Sequence, residues 1–386
     1  MQCNVLESAA AELVDESLHP LEQLELLTAK VDELKAKGET DAVIECRIKQ
    51  LSLQKVLSHI HRFPLQPVIQ AQAALAEAYG QGGYFAQAKQ HITQAREVCN
   101  GGIYGDLQCR RLQADLLASE GTICFAEGQL EAAEKALMDA ARLGRETRGG
   151  LDRFTAQVHI LLGQVATQRG NVDKAIDHFS DAWEAYEDID GRTAEPTLRV
   201  RLQMAEAQRT ADDDRSQKAV EELQDVVRIL VEILEGKEGV PQLPRLLAES
   251  SLRLALWLQA DERDQEAFQA LEIAENTCKK NCSEEDLMAI DIKRHMASLH
   301  IKLGRKKEAL EYLKDVEYFE RRLHGSQSVQ VARTLKALGT VYAADGNQAE
   351  AESSFHQALR IFETDRHQNA GFIRDINAML QSMTTA

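Results

Sequence analysis

Between residues 332 and 361 (ARTLKALGTVYAADGNQAEAESSFHQALRI) apolar side chains return every three or four positions. Leu335, Leu338, Val341 and Tyr342 form one such stripe. That spacing predicts an amphipathic helix. Gly346 interrupts it, and a second stripe follows at Ala351, Phe355, Ala358 and Leu359. Small residues fall where the two helices would cross, at Gly339, Ala351 and Ala358, while Tyr342 and Phe355 are large enough to fill the remaining space. A bulky side chain at a crossing point would hold the two backbones apart. The segment therefore reads as a helix–turn–helix pair.

The same pattern returns along the chain. Strong copies comprise Leu75, Ala76, Tyr79, Gly83, Ala88, Ile92 and Ala95; Gly121, Gly128, Ala133, Leu137 and Ala140; and Leu162, Gly163, Gly170, Ala175, Phe179 and Ala182. A further copy, Ala297, Gly304, Ala309, Leu313 and Val316, carries His300 where the inner aromatic would stand. Weaker copies are Ala207, Asp214, Ala219 and Leu223, and Leu254, Ala255, Glu262, Ala267, Leu271 and Ala274. With the turn residue as the mark, positions 83, 128, 170, 214, 262, 304 and 346 repeat with a period of 42 to 48 residues, and Gly38 marks a degenerate first unit. All six prolines (Pro20, Pro64, Pro67, Pro196, Pro241 and Pro244) fall before or at the start of a predicted helix. There the missing N–H costs little.

The expectation is seven helix pairs with terminal caps. The breaker-rich stretch 236–244 (GKEGVPQLP) is the expected seam between two half-arrays. It follows a dense apolar stripe (Val220, Leu223, Val226, Val227, Leu230, Val231 and Leu234), read as a core helix reaching onto the next unit. The resulting division is an N-terminal helical pair or cap over 1–62, repeats over 63–235 and 236–366, and a capping helix over 367–386. In that tail Phe372, Ile373, Ile376, Met379, Leu380 and Met383 make one apolar face.

The motif L-G-x-x-Y, a glycine four positions later, then A-x-x-x-F-x-x-A, resembles the tetratricopeptide repeat. The usual unit has about 34 residues; the longer period here resembles the units of the kinesin light chain, most clearly over 322–361. The segment 86–98 (AQAKQHITQAREV) resembles tetratricopeptide proteins of the cilium base. The resemblance implies an all-α, right-handed α-solenoid whose first helix in each pair lines a concave side that binds extended peptides or helices. It also implies a scaffold or adaptor within a multiprotein, cytoskeletal or ciliary assembly. The alternative is a regulatory receptor closing around a short peptide.

Composition narrows the function. The 386 residues carry a net charge of −17, which argues against nucleic acid as a partner, since phosphate binding draws on a basic surface. No apolar run reaches the roughly 20 residues that span a bilayer. Residues 1–15 lack the basic and apolar regions of a signal peptide. The odd cysteine count of 7 points to free thiols and a cytoplasmic protein.

Four signals bear on chemistry. Cys278, Cys282, His295 and His300 have the count and spacing of a two-Cys, two-His zinc site. The stretch AENTCKK, however, continues a helical stripe, Asp286 stands where a finger needs an aromatic, and His300 belongs to the repeat. The spacing is read as a coincidence of the array, with no metal or other cofactor expected. Second, a basic cluster runs from Lys293 to Arg322, and repeat register points Arg294, Lys302, Arg333 and Lys336 to the concave side, where an acidic peptide or helix could sit. Ser298 and Thr340 occupy positions where the carboxylate clamp of chaperone-binding repeats needs Asn. Third, Gln157, Gln164, Arg201 and Gln208 supply a polar inner lining for the backbone of an extended partner. Fourth, no phosphate loop, nucleophile elbow or zincin motif occurs, so no enzymatic activity is expected.

Overall fold

The computed structural model describes residues 18–61, 65–101, 105–150, 152–211, 213–236, 243–281, 283 and 286–384. All of its regular elements are helices. The chain divides into two compact units, Met1–Ser216 and Gln217–Ala386. The first contains α1 (Pro20–Lys37), α2 (Thr40–His61), α3 (Gln66–Gln81), α4 (Phe85–Gly101), α5 (Asp106–Ala126), α6 (Leu130–Arg148), α7 (Arg153–Gln168), α8 (Val172–Asp190) and α9 (Glu195–Arg209). The boundary falls in the first turn of α10 (Asp213–Gly236). The second unit continues with α11 (Leu243–Ala260), α12 (Asp264–Asn281), α13 (Leu287–Lys302), α14 (Lys306–His324), α15 (Val329–Ala344) and α16 (Gln348–Phe362). A single 3-10 turn (Glu363–Asp365) precedes α17 (Ala370–Thr384).

Within each unit successive helices pack as antiparallel pairs, and each pair packs on the next, which is the architecture of an α-helical repeat solenoid. The cores show why. One cluster joins Ile69, Ala73 and Ala76 of α3 to Ala88, Ile92, Ala95 and Cys99 of α4 and to Leu112, Leu116 and Ile123 of α5. The α3–α4 pair thus buries one apolar face against the following first helix. At the crossing points the small residues are obligatory. A Cβ on Gly163 would lie 2.6 Å from the Phe179 ring, and one on Gly339 would lie 2.6 Å from the Phe355 ring.

The turns follow one rule. Gly38, Gly83, Gly128, Gly170, Gly304 and Gly346 all take a left-handed φ of 71–81°. At Gly346 the bonds run from its N–H to the Ala343 carbonyl and from the Asn347 N–H to the Tyr342 carbonyl, a Schellman closure. At Glu262, with φ 60°, the same closure runs from its N–H to the Gln259 carbonyl and from the Arg263 N–H to the Leu258 carbonyl, and Glu262 is the one non-glycine with positive φ among the described residues. The unit marked by Gly38 is a full pair, α1–α2.

Asp214 is not a turn residue. It lies in the first turn of α10, and the chain breaks earlier, at Thr210 and Ala211. Without a glycine to mark the turn, spacing alone set that register. The apolar stripe of α10 is buried, with Val220, Leu223, Val226 and Leu230 at 0% exposure, so α10 is a core helix of the second unit. The expected seam at 236–244 lies later than the observed boundary, and residues 237–242 lie outside the described residues. Pro20, Pro67, Pro196 and Pro244 stand in the first turns of α1, α3, α9 and α11; Pro64 and Pro241 lie outside the described residues. At the far end α17 closes the last core through Ile376, with Phe372 stacked on Phe362 at 4.9 Å.

Candidate interaction surface

Three consecutive first helices of the first unit, α3, α5 and α7, share one open cavity of about 430 Å³. Glu77 stands on α3, Asp115, Ala118, Ser119 and Thr122 on α5, and Phe154, Gln157 and Leu161 on α7. A second cavity of about 220 Å³ continues toward the N-terminus between α3 and α5 and shares Glu77 and Asp115. Glu77 and Ser119 face each other across the cavity, the Ser119 hydroxyl donating to the Glu77 carboxylate at 2.5 Å. Small side chains such as Ala74 and Ala118 keep the channel open.

The polar groups in this wall are held by the second helices behind it. Asp115 is paired with Arg148 at the end of α6, and the Arg148 guanidinium lies 4.3 Å from the Phe154 ring centre. Burial pushes the Asp115 carboxyl above its ordinary range, while Arg148 opposes the shift. Arg111 donates twice to the Thr147 carbonyl, at 2.9 and 3.0 Å, which anchors the same corner. The floor is thus apolar, with hydroxyl, amide and carboxylate groups along its rim.

Of the residues expected on an inner lining, Gln157 lines this cavity. Gln164 is half-buried two helical turns further along α7, and Arg201 on α9 is half-buried and already engaged within the chain. The amide oxygen of Gln208 is buried with no hydrogen-bond partner among the described residues. Of these residues, Gln157 is the one that opens into the groove.

In the second unit the basic residues are turned to internal use. Arg294 on α13 pairs with Asp291 and donates at 2.8 Å to Glu320, a carboxylate at 1% exposure that also accepts the Thr334 hydroxyl at 2.7 Å. Lys302 pairs with Asp264 at 2.8 Å, and Lys336 with Asp375 of α17 at 2.7 Å. Arg333 and Lys336 also lie over the Phe372 ring, at 5.3 and 5.2 Å. These cations clamp neighbouring helices together, and each has a carboxylate or a ring to satisfy it.

Three of the four residues in the cysteine–histidine spacing lie on described helices. Cys278 is buried at the end of α12, and Cys282 lies outside the described residues. His300 fills the inner aromatic position: it stacks on Tyr312 at 5.5 Å and meets the Phe268 ring edge-on at 5.3 Å. Burial lowers both His295 and His300 below the usual imidazole value.

The groove residues were not singled out by sequence except for Gln157. Their signal is present in part, since Ser119 and Leu161 occupy one repeat position, as do Asp115 and Gln157, each pair 42 residues apart. Turn and crossing positions define the repeat, whereas the exposed positions between them carry no packing constraint that marks them in sequence.

Among the described residues, no helix is long and apolar enough to cross a membrane. None of the curated proteins compared matches this chain. Among solved structures, RapI in its apo form is similar over 89% of this chain and 99% of its own, at 13% identity and a TM-score of 0.57. That likeness is one of fold. A Podosopora anserina protein described as a kinesin light chain with nearly identical TPR-like repeats is 22% identical, covering 54% of this chain and 96% of its own, at a TM-score of 0.45. A Rap protein complexed with competence and sporulation factor is 11% identical, covering 94% and 99%, at a TM-score of 0.47. The tetratricopeptide repeat family model matches residues 112–188, which run from within α5 to within α8, so tetratricopeptide-type repeats are present in this chain.

Proposed function

We propose that this chain is a non-enzymatic scaffold that holds another protein in the groove formed by α3, α5 and α7. The supporting observation is the open cavity shared by three consecutive first helices, with an apolar floor and a rim of Glu77, Ser119, Thr122 and Gln157. Such a strip suits a helix or an extended segment, because apolar side chains enter between successive helices while rim groups meet the partner's polar atoms. Binding by a preformed surface needs no activated group.

The test is a filled groove. Ala118→Trp, combined with Gln157→Ala, is expected to remove at least ten-fold of the affinity for proteins that co-purify with the native chain, with helical content unchanged. Undiminished recovery of the same partners would overturn the reading. An acidic peptide at Arg294, Lys302, Arg333 and Lys336 belongs to the same proposal for the second unit. It requires the partner to displace Asp291, Asp264 or Asp375, so binding there should weaken steeply with salt. A cytoskeletal or ciliary assembly is the setting we infer from the resemblance of residues 322–361 and 86–98. A tagged protein absent from microtubules and cilia would remove that setting while leaving the groove intact. Compaction of the free protein by short peptides in small-angle scattering would favour the receptor alternative.

A further inference from the structure

Away from the groove, one cluster of side chains joins the two helices of a single pair. His159 on α7 is 2% exposed and is not among the residues that line the cavity. Its Nδ1 lies 3.1 Å from Oδ2 of Asp181 and 3.4 Å from Nδ1 of His178. His178 and Asp181 are one turn apart on α8, so they share a face of that helix. The three donor atoms, one from each residue, all fall within 4.8 Å of one another.

The hydrogen bonding of this cluster is poorly matched as it stands. Arg145 at the end of α6 places its guanidinium 2.7 Å from Nε2 of His159 and 3.6 Å from Asp181. A guanidinium can only donate, so Nε2 must carry the lone pair and Nδ1 the proton, which goes to Asp181. His178 Nδ1 then faces an N–H already used by the carboxylate. A cation placed between the three would satisfy all of them. Ligands about 2.0–2.2 Å from a tetrahedral zinc ion stand about 3.3–3.6 Å apart, close to the two separations observed. Two imidazoles and one carboxylate are a zinc-type donor set, with a position left for water.

We propose that His159, His178 and Asp181 form a zinc site that clips α7 to α8. Zinc on Nδ1 of His159 moves the ring proton to Nε2, directly opposite the Arg145 guanidinium. Arg145 is half-exposed, so it is free to swing toward solvent and release Asp181 to the ion. The site therefore has a built-in competitor, a cation from the preceding pair held against the same carboxylate. This inference does not depend on the groove reading, because it concerns a different face of α7 and a different ligand.

The experiment titrates Zn2+ alone into chelator-stripped, reduced full-length protein by calorimetry, with thermal melts in parallel. One zinc per chain and a zinc-dependent rise in Tm are expected. His178→Gln and Asp181→Asn, which keep the polar surface of α8, should each weaken binding at least ten-fold and abolish the rise in Tm. Arg145→Gln should strengthen binding several-fold, an outcome that mere loss of a helix contact would not produce. The paired variant Cys99→Ser and Cys109→Ser, whose sulfurs lie 3.9 Å apart, should bind zinc as the native chain does. Absence of stoichiometric binding would overturn the site. So would binding that survives both His178→Gln and Asp181→Asn, or binding lost with the cysteines instead.

Discussion

A methyl group on Gly163 would meet Cε1 of Phe179 at 2.6 Å, in a place where the two helix backbones already touch through that ring. Alanine there gains helix propensity of about 1 kcal/mol, but the ring at 2% exposure has nowhere to go. Gly163→Leu is expected to cost roughly 1–3 kcal/mol or more, and a Phe179→Leu change in the same chain should recover part of it. Chemical denaturation of the three variants reads this directly; an unchanged midpoint for Gly163→Leu would place the crossing point elsewhere. Glu262 gives the opposite sign. It performs a turn that six glycines perform elsewhere, at a φ of 60° that an L side chain adopts at a cost of about 1–2 kcal/mol. Glu262→Gly should therefore raise stability by about 1 kcal/mol, less what the freer unfolded chain takes back.

His300 shows how burial becomes pH dependence. Its imidazole is buried between Phe268 and Tyr312, and its Nδ1 has no hydrogen-bond partner among the described residues. Burial is the largest influence and lowers its pKa; Arg305 adds to the lowering, while Glu308, Glu275 and Glu272 oppose it. The unfolded chain takes up a proton near pH 6.5, and the folded chain takes it up only at lower pH. The contribution of His300 is therefore complete above about pH 6.5 and is lost as the pH falls below it. His300→Phe removes that term and supplies the aromatic that the repeat prefers. Its Tm should exceed that of the native chain by a margin that widens between pH 7.5 and 5.5; a constant margin would show that His300 does not titrate in this range.

At the scale of the element, the helix pairs were legible because their determinants are local. Gly38, Gly83, Gly128 and Gly170 mark the turns, and Ala88, Ala133 and Ala175 mark the crossings, each within one short stretch of chain. Where a marker was missing the register slipped, as at Asp214. The fate of the basic residues was not legible, because it depends on side chains in another helix. Glu320 is 26 residues from Arg294, Asp264 is 38 from Lys302, and Asp375 is 39 from Lys336. No repeat rule says which of these pairs will form. The His159 cluster lies between these cases. A histidine four positions before the crossing glycine, and a His-x-x-Asp on the following helix, could have been read as one site once the pair was aligned. For α17 the expectation is concrete. Deleting residues 367–386 exposes Phe362, which is fully buried, and leaves Lys336 without Asp375. The shortened chain should melt at a lower temperature and self-associate, as an uncapped repeat does.

At the scale of the whole molecule, stability is carried by neighbours. In the second unit one core runs from Ala297 and Ala309 through Leu335 and Phe355 to Ile376, while Ile290, Val316 and Phe319 form a separate cluster. Nothing in such an array bridges distant pairs, so a local injury should open a contiguous block and stop where the packing changes hands. Ala351 provides the test, because it is fully buried at the crossing of α15 and α16 and its replacement by leucine overfills that point. Hydrogen exchange on Ala351→Leu should show faster opening of α15, α16 and α17, a smaller effect on α14, and native protection in α12. A uniform loss of protection across the second unit would mean that its helices fold as one cooperative body, and a purely additive chain of pairs would then be the wrong physical picture.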